Sequence, residues 1–297
     1  MSNERPWLEQ YPAGVSGQID VSQYASVPAV LEEAFAAFSD RPAFASFGRQ
    51  LSYGQIDAMS RQFAGYLTGV LKLGKGDRIA IMMPNVLQYP IALFGALRAG
   101  LIVVNTNPMY TARELKHQLV DSGAKAILVL DNFAHTLQQV VAETGVQHVI
   151  TTGIGDLLGF PKGALINFVL KHVKKMVPAY DLPQAVRFRD ALARGAAHPL
   201  QSVTLEHGDI AFLQYTGGTT GVAKGAMLTH GNMIANMLQA SEWIGGSAKP
   251  GEEVIITALP LYHIFSLTAN GLVFMRLGGL NWLITNPRDM PGFVKEL

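Results

Sequence analysis

Between residues 78 and 152 short apolar runs alternate with segments of helical period. That alternation limits the fold more than any other feature of the chain. The runs at 78–83, 101–105, 125–130 and 148–152 are rich in Ile, Val and Leu on both faces, as strands buried in a parallel sheet are. The stretches between them, 87–97, 111–122 and 133–144, read as helices. Buried strands joined by helices give βαβ units with right-handed crossovers. Local signals sharpen the boundaries. Ser52 with Gln55, and Thr111 with Glu114, have the spacing of capping boxes. Segments 43–47 and 50–53, joined at Gly48, predict a hairpin. Ser26 is a candidate cap for a helix with Pro28 in its first turn and Leu31, Phe35 and Phe38 along one stripe. Residues 153–195 break the rhythm and read as an insertion. After them come strands at 210–215, 254–258 and 280–284, and helices at 230–243, capped by Thr229, at 265–277 and from 291.

The strand at 210–215 runs into Tyr215, Thr216, Gly217, Gly218, Thr219, Thr220, Gly221, Val222, Ala223, Lys224 and Gly225. Glycines let a backbone approach a ligand closely, and successive amide N–H groups in such a turn make a concave anion site. Threonine hydroxyls add neutral donors and Lys224 adds a charge, a set suited to a polyphosphate. The loop is not a Walker A motif, because Lys224 is followed by Gly225 rather than by Ser or Thr opening a helix. Strand–loop–strand is the expected setting.

These residues resemble the phosphate-binding signature of the adenylate-forming superfamily, which includes acyl-CoA synthetases. Leu259-Pro260-Leu261-Tyr262-His263-Ile264-Phe265 is similar to that family's aromatic–His motif. Met83-Pro84-Asn85, Leu97-Arg98-Ala99-Gly100 and the stretch from Asn107-Pro108 through Glu114-Leu115 resemble its N-terminal half. The opening Trp7-Leu8-Glu9-Gln10-Tyr11-Pro12 is most similar to bacterial long-chain fatty-acid–CoA ligases. The resemblance implies an α/β fold of layered sandwiches with mostly parallel sheets. It implies residues 1–200 as a first subdomain, with an N-terminal arm and the insertion at 153–195. Residues 201–297 would begin a second subdomain carrying the loop. Family members are much longer, and nothing here matches their Tyr-Gly-x-Thr-Glu segment. The expectation is therefore an N-terminal fragment, truncated before the β-barrel and C-terminal domain, that does not complete the reaction alone.

The implied reaction is ATP-dependent activation of a long-chain fatty acid to acyl-CoA through an acyl-adenylate, with Mg²⁺ and with coenzyme A as a substrate. The loop residues would hold the β- and γ-phosphates. Tyr262, His263 and Phe265 would line the acyl side, with neutral His263 orienting the carboxylate as a donor. Taken by itself, a lone His among aromatics is more often a satisfied core residue. Trp243 and Phe265 fit an acyl tunnel and ordinary packing equally. Medium-chain and aryl-acid ligases share the loop, and a non-catalytic ATP- or lipid-binding module is the alternative of another class.

Charged residues make up 15% of the chain and hydrophobic ones 49%. The usual charged share is about 25%, so a large core or an exposed apolar surface is expected. A severed sheet edge would invite a homodimer. A net charge of +1 gives no nucleic-acid signal. No His spacing suggests a protein metal site, and there are no cysteines, which fits a cytoplasmic setting. Residues 160–180 carry Lys171, Lys174 and Lys175 among Leu165, Ile166, Val169, Val173 and Met176. On a regular helix these apolar residues share one face, and Asn167 lies opposite with the lysines. The pattern fits a peripheral helix on the inner face of the cell membrane as well as a surface helix packed on the core.

Overall fold

The computed structural model describes residues 5–216 and 223–296. Two 3₁₀ turns (Pro6–Gln10 and Val21–Gln23) lead into α1 (Val27–Phe38). The hairpin β1 (Pro42–Ser46) and β2 (Arg49–Ser52) turns at Phe47 and Gly48, both with positive φ. Next come α2 (Tyr53–Gly65), β3 (Arg78–Met82), α3 (Gln88–Arg98), β4 (Ile102–Asn105), α4 (Ala112–Ser122), β5 (Ala126–Leu130), α5 (Ala134–Gln138) and β6 (His148–Thr152). The insertion holds α6 (Lys162–Phe168), β7 (Val186–Arg187) and α7 (Phe188–Gly195). The rest comprises β8 (Ile210–Thr216), β9 (Lys224–Thr229), α8 (His230–Gly245), β10 (Val254–Thr257), α9 (Ile264–Ser266), α10 (Val273–Arg276), β11 (Leu280–Leu283) and α11 (Met290–Glu296).

Two sheets result. The larger has the order β7-β6-β5-β3-β4-β8-β9, parallel throughout except for β9, which runs antiparallel to β8. The smaller has the order β10-β11-β1-β2, with only β1–β2 antiparallel. The mostly parallel, layered α/β arrangement expected from sequence is the one adopted. Each sheet takes strands from both sides of residue 200: β8 pairs with β4, and β11 pairs with β1.

Alternation along the buried strands builds the layers. Ile79, Ile81, Val103 and Leu128 face a core shared with α1, α2, α3 and α8, while Ala80, Met82, Val104 and Ile127 face α4 and α5. Each fully buried aliphatic side chain contributes about 1.5–3 kcal/mol. Arg98 ties the three N-terminal helices together. Its buried guanidinium pairs with Glu32 at 2.9 Å and with Asp57, and it lies over the Phe35 ring at 4.7 Å.

Both expected capping boxes form, and Thr229 with Asn232 makes a third at α8. Ser26 makes no side-chain cap; the Val27 N–H donates instead to Nδ1 of buried His230 at 3.2 Å. The helix expected at 133–144 is shorter. It stops after Gln138 and tightens into a 3₁₀ turn at Val141–Glu143, which tucks Val140 into the core.

The insertion is rolled relative to the sequence-based expectation. Asn167 points inward, where Oδ1 accepts from the Gly155 N–H and Nδ2 donates to Asp156, each at 2.8 Å. Close backbone contact requires glycine here, since a β-carbon at Gly163 would fall 2.1 Å from the Gly155 carbonyl oxygen. A π turn at Val169–Val173 then shifts the period. Leu165, Val173 and Met176, expected on the packed face, lie exposed, as do Phe160 and Phe168.

Candidate functional site

The carboxyl ends of β3, β4, β8 and β10 deliver their following segments to one place, where open α/β sheets bind ligands. Buried polar side chains fix that place. Asn85, just after β3, donates through Nδ2 to the carbonyls of Thr257 and Leu259 at 2.8 and 2.9 Å, and Oδ1 accepts from the Leu261 N–H at 2.8 Å. The Tyr89 hydroxyl lies 2.7 Å from Asn105 Oδ1 and 2.9 Å from the Leu261 carbonyl oxygen. Asn105 donates to Gln214 at 3.1 Å, and Gln214 donates to the Tyr262 carbonyl at 3.2 Å. The strand feeding the glycine loop is thus tied to the turn carrying Tyr262 and His263.

His263 caps α9. Its Nδ1 accepts from the Phe265 N–H at 3.4 Å, and the ring is exposed. With Nδ1 used as an acceptor, a neutral ring presents Nε2–H as a donor. Tyr262 is half-buried, and burial raises its hydroxyl pKa against the opposing charge of Arg288. Phe265 is exposed. Trp243 packs against Tyr11 with ring centroids 5.2 Å apart and the rings tilted by 57°, and both line a small cavity with the N-terminal arm, so this ring packs with the arm.

The expected strand–loop–strand setting is present. β8 and β9 pair from Ile210–Thr229 to Thr216–Lys224. Thr216 and Lys224 are exposed, register-paired and stand at the two stems. Tyr215 is buried, and its hydroxyl donates to Asp121 at 2.5 Å. Burial, then Asp121, holds that hydroxyl well above the ordinary phenol range, so it stays a neutral donor. Ala223 accepts a hydrogen bond from His117 at 2.9 Å, and Gly225 lies under the Tyr215 ring. Gly217, Gly218, Thr219, Thr220, Gly221 and Val222 lie outside the described residues.

Lys171, Lys174 and Lys175 are exposed on the insertion, away from these loops. A cavity of about 500 Å³ lies under that insertion, lined by Asp131, Asn167, Leu170, Tyr180 and Arg187 among others. The Arg187 guanidinium is already bound to Asp131, Asp156 and Thr151, so the network serves to pin the insertion.

Sequence reading missed Tyr89, Asn105, Gln214, His117 and Asp121. A usable signal existed for two of them. Asn105 ends Ile-Val-Val-Asn, and Gln214 interrupts Phe-Leu-Gln-Tyr. A polar residue in a buried apolar strand must find a hydrogen-bond partner.

Layered sheets, the β8–β9 hairpin at the strand ends and an aromatic–His turn tied to it define an α/β protein with a candidate ligand site. The chain belongs to the AMP-binding enzyme family, whose model matches residues 31–297. It is 56% identical over 294 residues to a long-chain-fatty-acid–CoA ligase of Escherichia coli O157:H7, covering 99% of this chain and 52% of that protein. It is 34% identical to a long-chain-fatty-acid–CoA ligase of Bacillus subtilis strain 168, covering 94% of this chain and 49% of the relative. The chain spans about half the length of the curated relatives it matches. An anthranilate CoA ligase solved with anthranoyl-AMP shares the fold at a TM-score of 0.77 and 17% identity, covering 94% of this chain and 49% of that one. A long-chain-fatty-acid-CoA ligase from Archaeoglobus fulgidus does so at 0.71 and 22%, covering 93% and 50%.

Proposed function

We propose that this chain is the nucleotide- and acyl-binding part of an ATP-dependent long-chain fatty-acid–CoA ligase. The fatty-acid carboxylate attacks the α-phosphorus of ATP and pyrophosphate leaves. The thiol of coenzyme A then attacks the acyl carbon of the adenylate, and AMP leaves. Donors aimed at the departing charge dominate such a task. Thr216 and Lys224 stand at the stems of the loop that would hold the β- and γ-phosphates. His263, with Nδ1 already occupied, serves as an Nε2–H donor to the acyl carboxylate rather than as a base. Among the described residues no group of three or more His, Asp or Glu converges to hold a metal.

The Gln214–Tyr262 tether is the observation that supports this reading most, because it joins the β8–β9 hairpin to the Tyr262–His263 turn. Calorimetric titration with ATP and with tripolyphosphate tests it. Saturable binding, weakened about tenfold or more by Lys224→Ala, is expected. Absence of any polyphosphate binding overturns the reading. Thioester formation by the 297-residue chain with palmitate, ATP, Mg²⁺ and coenzyme A should be negligible.

The proposed enzyme works in the cytoplasm and touches the inner face of the cell membrane through its insertion. Phe160, Val173, Leu165 and Phe168 are 92%, 67%, 62% and 57% exposed. From residue 157 to 180 there are four lysines and no acidic side chain. Apolar side chains projecting among lysines suit an anionic bilayer. Among the described residues no helix is long and apolar enough to cross a membrane. Cosedimentation with phosphatidylglycerol vesicles should fall on the order of a hundredfold when Lys171, Lys174 and Lys175 become Glu. Unchanged binding would assign the segment a purely structural role.

A further inference from the structure

Both stems of the glycine hairpin rest on one face of α4. His117 and Asp121 lie four residues apart, so they project from the same side of that helix. Asp121 Oδ2 accepts from the Tyr215 hydroxyl at 2.5 Å, on the strand that enters the loop. Nε2 of His117 donates to the Ala223 carbonyl at 2.9 Å, where the chain leaves the loop. The rings of His117 and Tyr215 meet edge-on at 6.5 Å and 87°. Tyr215 in turn covers its register partner Gly225, where a β-carbon would come within 3.0 Å of the ring.

The β8–β9 ladder already holds the hairpin from Ile210–Thr229 to Thr216–Lys224. Ala223 is the first residue beyond it. The hydrogen bond from His117 is therefore not needed to pair the strands; it sets where the backbone goes just past their last pair. That backbone leads directly into Lys224, the cation at the stem.

We propose that His117 is a positioning residue for polyphosphate binding: its bond to the Ala223 carbonyl fixes the loop exit and aims Lys224, while Asp121 fixes the entry through Tyr215. This rests on the polyphosphate reading of the loop. The ligand class is the triphosphate tail of a nucleotide, and neither side chain of α4 touches it.

The test is calorimetric titration of the chain with tripolyphosphate, alongside thermal unfolding and hydrogen exchange at residues 223–225. His117→Phe keeps an aromatic ring but removes the donor. It should weaken tripolyphosphate binding by about tenfold, speed exchange at the loop exit and leave the unfolding midpoint in place. His117→Gln keeps an N–H within reach of the carbonyl and should recover most of the affinity. If His117→Phe binds as tightly as the unsubstituted chain, the inference fails and the polyphosphate reading stands. It also fails if affinity and unfolding midpoint fall together in both variants. An unsubstituted chain that ignores tripolyphosphate removes the loop reading and the inference with it.

Discussion

The Tyr89 hydroxyl and the Leu261 carbonyl meet at 2.9 Å across 172 residues of sequence. The same hydroxyl lies 2.7 Å from Asn105 Oδ1, so one proton serves two buried acceptors. Tyr89→Phe leaves both short of a donor in a site without water access. A loss of about 1–3 kcal/mol is expected, read as a lower urea midpoint with an unchanged slope.

Asn85 makes three hydrogen bonds to the segment between β10 and the His263 turn. Asn85→Ala strands two carbonyls and one N–H. About 3 kcal/mol of stability should go, and residues 259–263 should become cleavable by protease before the rest of the fold. Equal protection of this segment in both proteins would contradict the assigned role.

His230 gives a pH dependence. Burial is the main cause that lowers its pKa from 6.5 to about 4. Above 6.5 it is neutral in both folded and unfolded chains, and its contribution is complete. As pH falls below 6.5 the unfolded chain takes up the proton while the folded one does not, until about 4. Stability should therefore drop across that window, by about 3 kcal/mol in total. Protonation would also cost Val27 its acceptor at the start of α1. His230→Gln should flatten the slope of unfolding free energy against pH between 6.5 and 4.

Gly163→Ala should act locally. The new methyl would collide with the Gly155 carbonyl and push α6 off its seat. Proteolysis between residues 158 and 180 should accelerate several-fold, while the main unfolding transition moves little. A single cooperative loss of the whole fold would show that the insertion is integral to the core.

Much of the fold was legible because its signals are local. Ser52, Thr111 and Thr229 cap helices as their spacing indicates, since a cap needs only residues within one turn. The glycine hairpin is likewise flanked by the strands that its sequence suggests. What was hidden depends on distant partners. Nothing near Phe44 announces its pairing with Asn281, and nothing near Val27 points to His230. Helical periodicity misjudged the insertion because Asn167 has a stronger preference, two hydrogen bonds to the 155–156 turn, than the solvent face could offer. At the candidate site the strands flanking the loop and the turn carrying Tyr262 and His263 were readable. The polar ties through Asn105 and Gln214 were only half readable: a polar residue in a buried strand signals that a partner exists, but the sheet order decides which one.

The pairing of β1 with β11 has a cost during synthesis. The Tyr53 hydroxyl, at the start of α2, finds its acceptor at Gly279 only 226 residues later. At ribosomal rates of roughly 5–20 residues per second, that interval lasts on the order of tens of seconds. Throughout it the nascent hairpin offers one naked backbone edge and an apolar face to its surroundings. A polypeptide with this wiring carries an unpaired edge for that whole interval, and slower translation would lengthen the hazard rather than relieve it.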